Sequence, residues 1–327
     1  WLAPPLLAGE GVGGRGFRHS NEDSEQGIML LRTEQLTKDY GHVRALDRLD
    51  LTVAPGEVFG LLGPNGSGKS TALRLLLGFL QPTAGAAWID GHHCWQDSVA
   101  ARRRVAYLPG ELRLYENMTG RQLIRFLGGL RQLKDGPDVE RLARSLDIDL
   151  SRPIAELSSG MKRKVALLQV LLPRAPLLVL DEPTNTLDPT MRDELLTQLR
   201  RARDHGQAVL FSSHVLSEVE RVCDRVGILQ KGRLVHLQRM AELREERRIV
   251  AAFAGVVEEL PNLPGLRRIE RQQHRLTFEY AGPLPPLLAW LARQQVVDLG
   301  IEPLGLGAIY QRYYDVSRGE PPEGAHA

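Results

Sequence analysis

The chain has 327 residues, with 42 Lys and Arg against 40 Asp and Glu, a formal net charge of +2 and 43% hydrophobic residues. This length exceeds one typical domain, and the near-balanced charge gives no basic face of the kind that binds nucleic acid, so no nucleic-acid partner is expected. No apolar stretch in the sequence approaches the length that crosses a bilayer, so another chain would have to supply any membrane-spanning helices.

The first 28 residues are rich in glycine and in small or polar residues, and they lack periodicity. Met29 stands directly before the first strand-like segment. We therefore expect residues 1–28 to be a disordered extension or the product of an upstream translation start. Residues 30–36 and 43–53 then carry apolar positions that predict an antiparallel hairpin, with Tyr40 between the two strands.

Residues 63–70 read GPNGSGKS, a complete phosphate-binding loop between a strand pattern and a helical pattern. Its glycines allow successive backbone N–H groups to turn toward a polyphosphate, and the helix N-terminus adds its positive dipole end. Lys69 is expected to reach the β- and γ-phosphates, and Ser70 to ligate Mg²⁺. The loop therefore predicts that the chain binds a nucleoside triphosphate. The predicted contacts are Gly63, Pro64, Asn65, Gly66, Ser67, Gly68, Lys69, Ser70 and Thr71.

Helical apolar spacing dominates residues 115–169, where β-branched residues become sparse, and predicts a helical subdomain over about residues 112–170. On either side of it, strand patterns alternate with helical patterns. This alternation is typical of an α/β fold with a mostly parallel sheet covered on both faces. The strand patterns lie at residues 58–62, 105–108, 177–180 and 208–211.

A second, smaller unit is predicted after a closing hairpin at residues 226–237. A charge-dense run at residues 244–248 marks the boundary, and we divide the chain into a nucleotide domain over 29–238 and an accessory α+β domain over 239–327. The tail from residue 317 is rich in Gly, Pro and Glu and is expected to be disordered. Strands are predicted at 249–257, 266–271, 275–280 and 295–301, and helices at 284–293 and 307–314.

The apolar strand at residues 177–182, LLVLDE, delivers two carboxylates at its carboxyl end, where open α/β sheets place their ligands. Asp181 is expected to hold Mg²⁺, directly or through a water. Glu182 is placed to polarise the water that attacks the γ-phosphate. The pair therefore predicts hydrolysis of the nucleotide, beyond binding alone.

Residues 157–163, LSSGMKR, open an apolar helix between the phosphate loop and this strand. Ser158 and Gly160 at such a helix start can offer a hydroxyl, N–H groups and the helix dipole to an anion. Taken alone, the segment is only a capped helix. Its weight comes from its position between the other two motifs.

The order of phosphate loop, LSSGM, LVLDEPTNTLDP and FSSH resembles the nucleotide-binding domain of an ABC transporter, over about residues 29–237. The resemblance implies a P-loop NTPase fold with an antiparallel β subdomain and a helical insertion. It implies that two such domains close head to tail with ATP between them, so that Ser158 and Gly160 act on the facing subunit's nucleotide. Because the chain has one loop and one signature, a second copy of it is the expected partner.

The resemblance also implies roles for individual residues, with ATP and Mg²⁺ as cofactors. Tyr40 resembles the aromatic residue that stacks on adenine, and an ordinary hairpin aromatic is the alternative. Asp188, in NTLD, resembles the carboxylate of the loop that couples the subunits. His214 resembles the switch histidine that contacts the γ-phosphate, and it joins Glu182 and Lys69 as a predicted catalytic residue.

Three segments depart from the family pattern. The signature reads LSSGM where LSGGQ is more frequent, and the coupling loop has Thr186 where a small residue is common. At residues 107–111, YLPGE, Gly110 stands where the family usually has a glutamine. Gly110 has no side chain to reach Mg²⁺ or water, so the sequence leaves open whether Glu111 substitutes or the site works without this group.

The run YLPGELRLYENMT at residues 107–119, together with the C-terminal sequence IYQRYY, resembles the bacterial type-2 exporter branch of the family. In that branch a separately encoded permease carries drugs, antibiotics, lipids or polysaccharides. The resemblance implies a peripheral subunit at the cytoplasmic face of the membrane, with the helical insertion receiving the permease's coupling helix.

Two other functions remain open at this point. The first is a soluble ABC ATPase of nucleic-acid repair or translation, although neither an inserted coiled coil nor a second nucleotide domain is present in the sequence. The second is a regulatory module without hydrolysis, which Glu182 and His214 disfavour. Cargo, permease and the role of residues 239–327 are not readable from the sequence.

Overall fold

The computed structural model describes residues 29–133, 136–255, 257 and 261–314. The two segments expected to be disordered, 1–28 and the tail from residue 317, lie outside the described residues. The strands are β1 (Leu31–Tyr40), β2 (Val43–Val53), β3 (Val58–Leu62), β4 (Ala84–Ile89), β5 (His92–His93), β6 (Val105–Leu108), β7 (Leu177–Asp181), β8 (Ala208–Ser213), β9 (Arg225–Gln230), β10 (Arg233–Arg239), β11 (Arg247–Phe253), β12 (Leu266–Gln272), β13 (Arg275–Tyr280) and β14 (Val296–Pro303). The helices are α1 (Lys69–Leu76), α2 (Ser98–Arg103), α3 (Gly120–Leu130), α4 (Pro137–Ser145), α5 (Ser159–Leu171), α6 (Pro189–Asp204), α7 (Leu216–Val222), α8 (Met240–Glu245), α9 (Leu284–Leu291) and α10 (Gly305–Tyr314), with a 3-10 turn at Ile154–Glu156.

The central sheet has six strands in the order β10-β9-β3-β8-β7-β6. All neighbours are parallel except β9 and β10, which form an antiparallel hairpin at one edge. Every residue of β3, β7 and β8 is buried, as expected for parallel strands covered on both faces. The predicted mostly parallel sheet is confirmed, and the carboxyl ends of β3, β7 and β8 meet at one edge of it.

A second sheet, antiparallel in the order β2-β1-β4-β5, forms the predicted β subdomain. The first strand extends to Tyr40, four residues beyond the predicted end. Its pairing with β2 shifts register three times between Thr33 and Asp39. These bulges break the alternation of apolar and polar positions, which is why the sequence pattern stopped at residue 36.

The helical insertion between β6 and β7 contains α3, α4 and α5. Helix α3 begins at a capping box, in which the Thr119 hydroxyl accepts from the Gln122 N–H and the Gln122 side chain accepts from the Thr119 N–H. Leu123, Leu142 and Val165 from the three helices are buried in one core that continues into the central sheet. The insertion is therefore packed on the nucleotide fold.

The C-terminal unit adds a four-stranded antiparallel sheet in the order β12-β13-β11-β14, which confirms the extra α+β unit in the predicted fold class. Phe278 of this sheet and Leu287 of α9 belong to a small core of their own. The last helix behaves differently, because Leu306 and Ile309 of α10 are buried in the core of the nucleotide fold. None of the helices in the described part of the chain has the length and apolar character of a membrane span.

Candidate nucleotide site

The phosphate loop connects the end of β3 to the start of α1, as the sequence predicts. Gly68 immediately precedes the helix with φ +109°, in the left-handed region. A Cβ atom there would lie 2.7 Å from the Ala45 carbonyl oxygen, so both the backbone conformation and the space require glycine. The loop thereby presents the N-terminus of α1 toward the edge where β7 and β8 end.

Lys69 is the best-buried charged group of the loop, with 5% of its side chain exposed. Its ammonium donates to the carbonyl oxygens of Gly63 at 2.6 Å and Pro64 at 3.1 Å, and it lies 3.7 Å from Glu182 Oε1. Burial lowers the pKa of this ammonium, although the carboxylates of Glu182 and Asp181 oppose the shift. Bound nucleotide could therefore replace these carbonyl and carboxylate partners of Lys69 with phosphate oxygens.

Asp181 and Ser70 meet at the edge of the sheet. The Ser70 hydroxyl donates to Asp181 Oδ2 at 3.2 Å, and the Ser212 hydroxyl donates to Asp181 Oδ1 at 2.6 Å. Ser212 Oγ in turn accepts from the backbone N–H of Glu182 at 3.0 Å. Neighbouring strands thus fix the orientation of the Asp181 carboxylate, and its Oδ2 faces the phosphate loop.

Glu182 lies at the centre of the catalytic group predicted from the sequence. Its Oε2 accepts from Asn185 Nδ2 at 2.7 Å and lies 3.3 Å from His214 Nδ1. Burial raises the pKa of Glu182, but the Asn185 hydrogen bond and the charges of His214 and Lys69 outweigh it and hold the pKa below its ordinary value. The carboxylate is therefore ionised at neutral pH, as a group that accepts a hydrogen bond from water must be.

A cleft of about 330 Å³ joins the phosphate loop to Glu182. Five of its lining residues were not predicted, because they come from the start of β2 and from the turn before β10 and carry no motif: Val43, Arg44, Ala45, Lys231 and Gly232. Their positions next to the loop depend on sheet pairing, which no local pattern shows. The predicted residues that line the cleft are Asn65, Gly66, Gly68, Lys69, Ser70, Thr71 and Glu182.

Tyr40 lies at the end of β1 and is 47% exposed. The ammonium of Lys38 lies 5.2 Å from its ring centroid. The cleft is lined by Val43, Arg44 and Ala45, just past the turn that follows Tyr40. The stacking of Tyr40 on adenine stays a prediction, with the ring exposed near that side of the cleft.

The signature residues lie outside this cleft. Ser158 caps α5, its hydroxyl accepting from the Met161 N–H at 3.3 Å. A Cβ atom on Gly160 would lie 2.9 Å from the Thr186 carbonyl oxygen, so the start of α5 touches the predicted coupling loop. Asp188 caps α6 in the same way, accepting from the Met191 N–H at 3.0 Å. Ser158, Gly160 and Asp188 are thus not among the residues that line the cleft beside the chain's own phosphate loop.

Gly110 follows β6 beside the predicted metal ligand. A Cβ atom on Gly110 would lie 3.3 Å from Asp181 Oδ2. A side chain at position 110 would therefore lie beside the predicted metal site, but glycine has no side chain. Glu111 is exposed, and within the described part of the chain its side chain makes no hydrogen bond or ion pair.

Arg163 is a further residue of the site that was not predicted from the sequence. It lies in the first turns of α5, is only 2% exposed, and makes five hydrogen bonds to backbone carbonyl groups. In the sequence, only its position two residues after the signature LSSGM could have indicated a role at the site. Burial lowers the pKa of its guanidinium, opposed by Asp181 and Glu182. The acceptors are the carbonyl oxygens of Pro109, Gly110, Asp181, Glu182 and Pro183.

Comparisons with known proteins agree with this geometry. A family model described as ABC transporter matches residues 46–185. The Nod factor export ATP-binding protein I of Rhizobium sp. (strain N33) is 36% identical over 257 residues, covering 75% of this chain and 84% of that protein. The linearmycin resistance ATP-binding protein LnrL of Bacillus subtilis (strain 168) is 31% identical over 219 residues, covering 65% of this chain and 70% of that protein.

A solved structure of the ATP binding subunit of an ABC transporter superimposes with a TM-score of 0.61 at 32% identity, over 66% of this chain and 92% of that one. The chain belongs to the ATP-binding proteins of ABC transporters. The resemblance predicted from the four motifs is confirmed, as is the classification of the chain as an ABC ATPase. The roles of its individual site residues stay predictions.

Replacing Arg163 by lysine tests whether the guanidinium joins these segments. A compact ammonium has three donors and does not reach all five carbonyl groups, so at least one is left buried and unsatisfied. We expect the free energy of unfolding of Arg163→Lys to fall by about 1–3 kcal/mol or more in urea titrations of the full chain.

Lys162→Met is the matched control, because Lys162 is the preceding residue of the same helix and its ammonium binds Glu116 near the surface at 2.7 Å. That pair should contribute about 0–1 kcal/mol. Equal losses in the two variants would contradict the role given to Arg163.

Proposed function

We propose that this chain hydrolyses ATP to power export of a substrate by a separately encoded membrane permease, with a second copy of the chain completing each catalytic site. The division of the site is the observation that carries the proposal. Lys69, Ser70 and Glu182 line one cleft, whereas Ser158 and Gly160 do not line it and lie at the start of α5, beside Thr186. Export is supported by the relatives, whose names specify Nod factor export and linearmycin resistance.

Hydrolysis follows from the charges around Glu182. Its ionised carboxylate accepts a hydrogen bond from a water and directs the water's oxygen at the γ-phosphate. Lys69 neutralises charge that develops on the phosphate oxygens, and His214, 50% exposed and 3.3 Å from Glu182, is free to turn toward the same phosphate. Glu182 contacts both Lys69, at 3.7 Å, and His214, at 3.3 Å, and bound ATP would exchange contacts of these side chains for phosphate oxygens.

Ser70 and Asp181 fit a Mg²⁺ ion. They present two oxygens 3.2 Å apart beside the phosphate loop, and Mg²⁺ takes few protein oxygens together with phosphate oxygens and waters. A richer cluster of three or more His, Cys, Asp or Glu side chains does not occur among the described residues. When bound, the ion would shield phosphate charge. Gly110 has no side chain to contact the ion, so water would take the place that a glutamine side chain could occupy.

The second copy would contribute the signature surface. Ser158 and the N-terminus of α5 offer N–H groups and a hydroxyl of the kind that bind an anion, and the phosphate oxygens of ATP in the facing subunit are suitable acceptors. Asn185 lies in the coupling loop, binds Glu182 directly, and is followed by Thr186 against Gly160. Contact at this surface would therefore reach the carboxylate that orients water.

A groove of about 990 Å³ between α2, α3 and α5 is the proposed docking site for a cytoplasmic helix of the permease. Val99 and Leu130 line it and are 60% and 55% exposed, and Arg103 adds an exposed cation. Gln169 Nε2 is buried there without a hydrogen-bond partner among the described residues. An amphipathic helix with an acidic side chain would cover the apolar residues and pair with Arg103, and would hold the chain at the cytoplasmic face of the membrane.

Mixing two inactive variants tests completion of the site by the second copy. Lys69→Ala removes the phosphate-loop lysine, and Ser158→Arg blocks the signature. If Ser158 acts on the facing subunit, each mixed dimer holds one site with both residues intact, and an equal mixture recovers up to about a quarter of wild-type ATP turnover.

A mixture of Lys69→Ala with Glu182→Gln is the control, because both changes damage the same chain's own half of the site. That mixture should stay inactive. Recovery in neither mixture, with mixed dimers shown by native mass spectrometry, would contradict action across the interface.

Binding of the permease is tested by Val99→Glu in cells that also express the membrane protein encoded beside this gene. A carboxylate in the apolar part of the groove should detach the chain from membranes while its affinity for ATP stays unchanged. Val297→Glu is the control, since Val297 is also exposed, at 71%, but lies on the C-terminal sheet. Equal membrane binding of both variants would argue against this groove.

A further inference from the structure

The last helix, α10, packs against the nucleotide fold rather than against the small core of the C-terminal unit. Leu306 and Ile309 are 0% and 3% exposed, in the same core as Val219 of α7 and Met240 of α8. The backbone N–H of Leu306 also donates to a carboxylate oxygen of Glu220 in α7. The first turn of α10 is therefore held against α7, the helix that follows His214 in the chain.

The C-terminal end of α10 binds the end of strand β9. The Tyr314 hydroxyl donates to the Leu229 carbonyl oxygen, and the Gln230 side-chain amide donates to the Tyr313 carbonyl oxygen. The Tyr313 hydroxyl lies 3.2 Å from His236 Nδ1 in β10. These contacts join the helix to both strands of the edge hairpin, on either side of its turn at Lys231.

The same hairpin turn touches the phosphate loop. The Gly232 N–H donates to the Ser67 carbonyl oxygen at 2.9 Å, and Lys231 and Gly232 line the nucleotide cleft. The Leu229 carbonyl oxygen, which accepts from Tyr314, would lie 2.5 Å from a Cβ atom on Gly63. The Leu229 peptide group thus lies between the Tyr314 hydroxyl and Gly63 of the phosphate loop.

We propose that α10 is a positioning element of the nucleotide site, with Tyr314 holding the 229–232 segment against the phosphate loop. The inference rests on the proposed function only in taking the cleft as the place where ATP binds. It assigns to the C-terminal unit an effect on ATP affinity, because anything that displaces α10 frees the hairpin turn. Tyr314 is a positioning residue, since it acts through Leu229 and lies outside the cleft lining.

The hydroxyl of Tyr314 is tested by Tyr314→Phe, with calorimetric ATP titration of the full chain. We expect ATP to bind roughly two- to tenfold more weakly, the range of one net hydrogen bond. KM for ATP should rise by the same factor while turnover at saturating ATP is kept. A merely structural role would instead lower the midpoint of thermal unfolding without this difference between KM and kcat.

Tyr310→Phe is the matched control. Tyr310 stacks on Tyr314 in the same helix with ring centroids 4.4 Å apart, and its hydroxyl makes no hydrogen bond within the described residues. ATP affinity equal in Tyr314→Phe, Tyr310→Phe and the wild-type chain would overturn the proposal. Failure of the wild-type chain itself to bind ATP would instead overturn the proposed function.

Hydrogen exchange on the wild-type chain supplies a second readout that needs no variant. If α10 supports the loop, saturating ATP must in turn slow exchange of backbone amides in residues 305–314, because the coupling between two sites is reciprocal. Unchanged exchange in α10, alongside slower exchange in the phosphate loop, would overturn the proposal even if Tyr314→Phe failed to fold.

Discussion

The guanidinium of Arg163 is the interaction on which the arrangement of the site depends. Arg163 lies in the signature helix, and its buried guanidinium donates hydrogen bonds to carbonyl oxygens of the segment after β6 and of the end of β7. Five donors in a rigid planar group make this possible. The helical insertion is thereby fixed to the strand end that carries Asp181 and Glu182. A displacement of the signature helix would move the backbone at the end of β7 through this side chain, in addition to the contact that Asn185 makes with Glu182.

Two further supports converge on the same edge of the central sheet. The Asn185 amide connects the coupling loop to Glu182, and the edge hairpin, held by α10, connects the C-terminal unit to the phosphate loop. The two contacts come from different parts of the fold, the coupling loop and the C-terminal unit. A single chain therefore holds the phosphate loop and both carboxylates of the proposed site in place through contacts with three different parts of the fold.

The parts of the site that follow from local chemistry were predictable from the sequence. Glycine at position 68 is required by a left-handed backbone, and a buried apolar strand ending in Asp181 and Glu182 places carboxylates at the sheet edge. The parts that depend on distant pairing were not. Arg163 reads as one more basic residue of a helix, and α10 reads as part of the accessory unit, because only the fold shows what each buries against.

Sedimentation velocity of the Glu182→Gln variant with ATP and Mg²⁺ shows whether ATP closes two copies of this chain around a shared site. Without its ionised carboxylate the variant should bind ATP and hold it unhydrolysed. We expect monomers without nucleotide or with ADP, and dimers at saturating ATP. A variant that binds ATP yet sediments as a monomer at every concentration would contradict it.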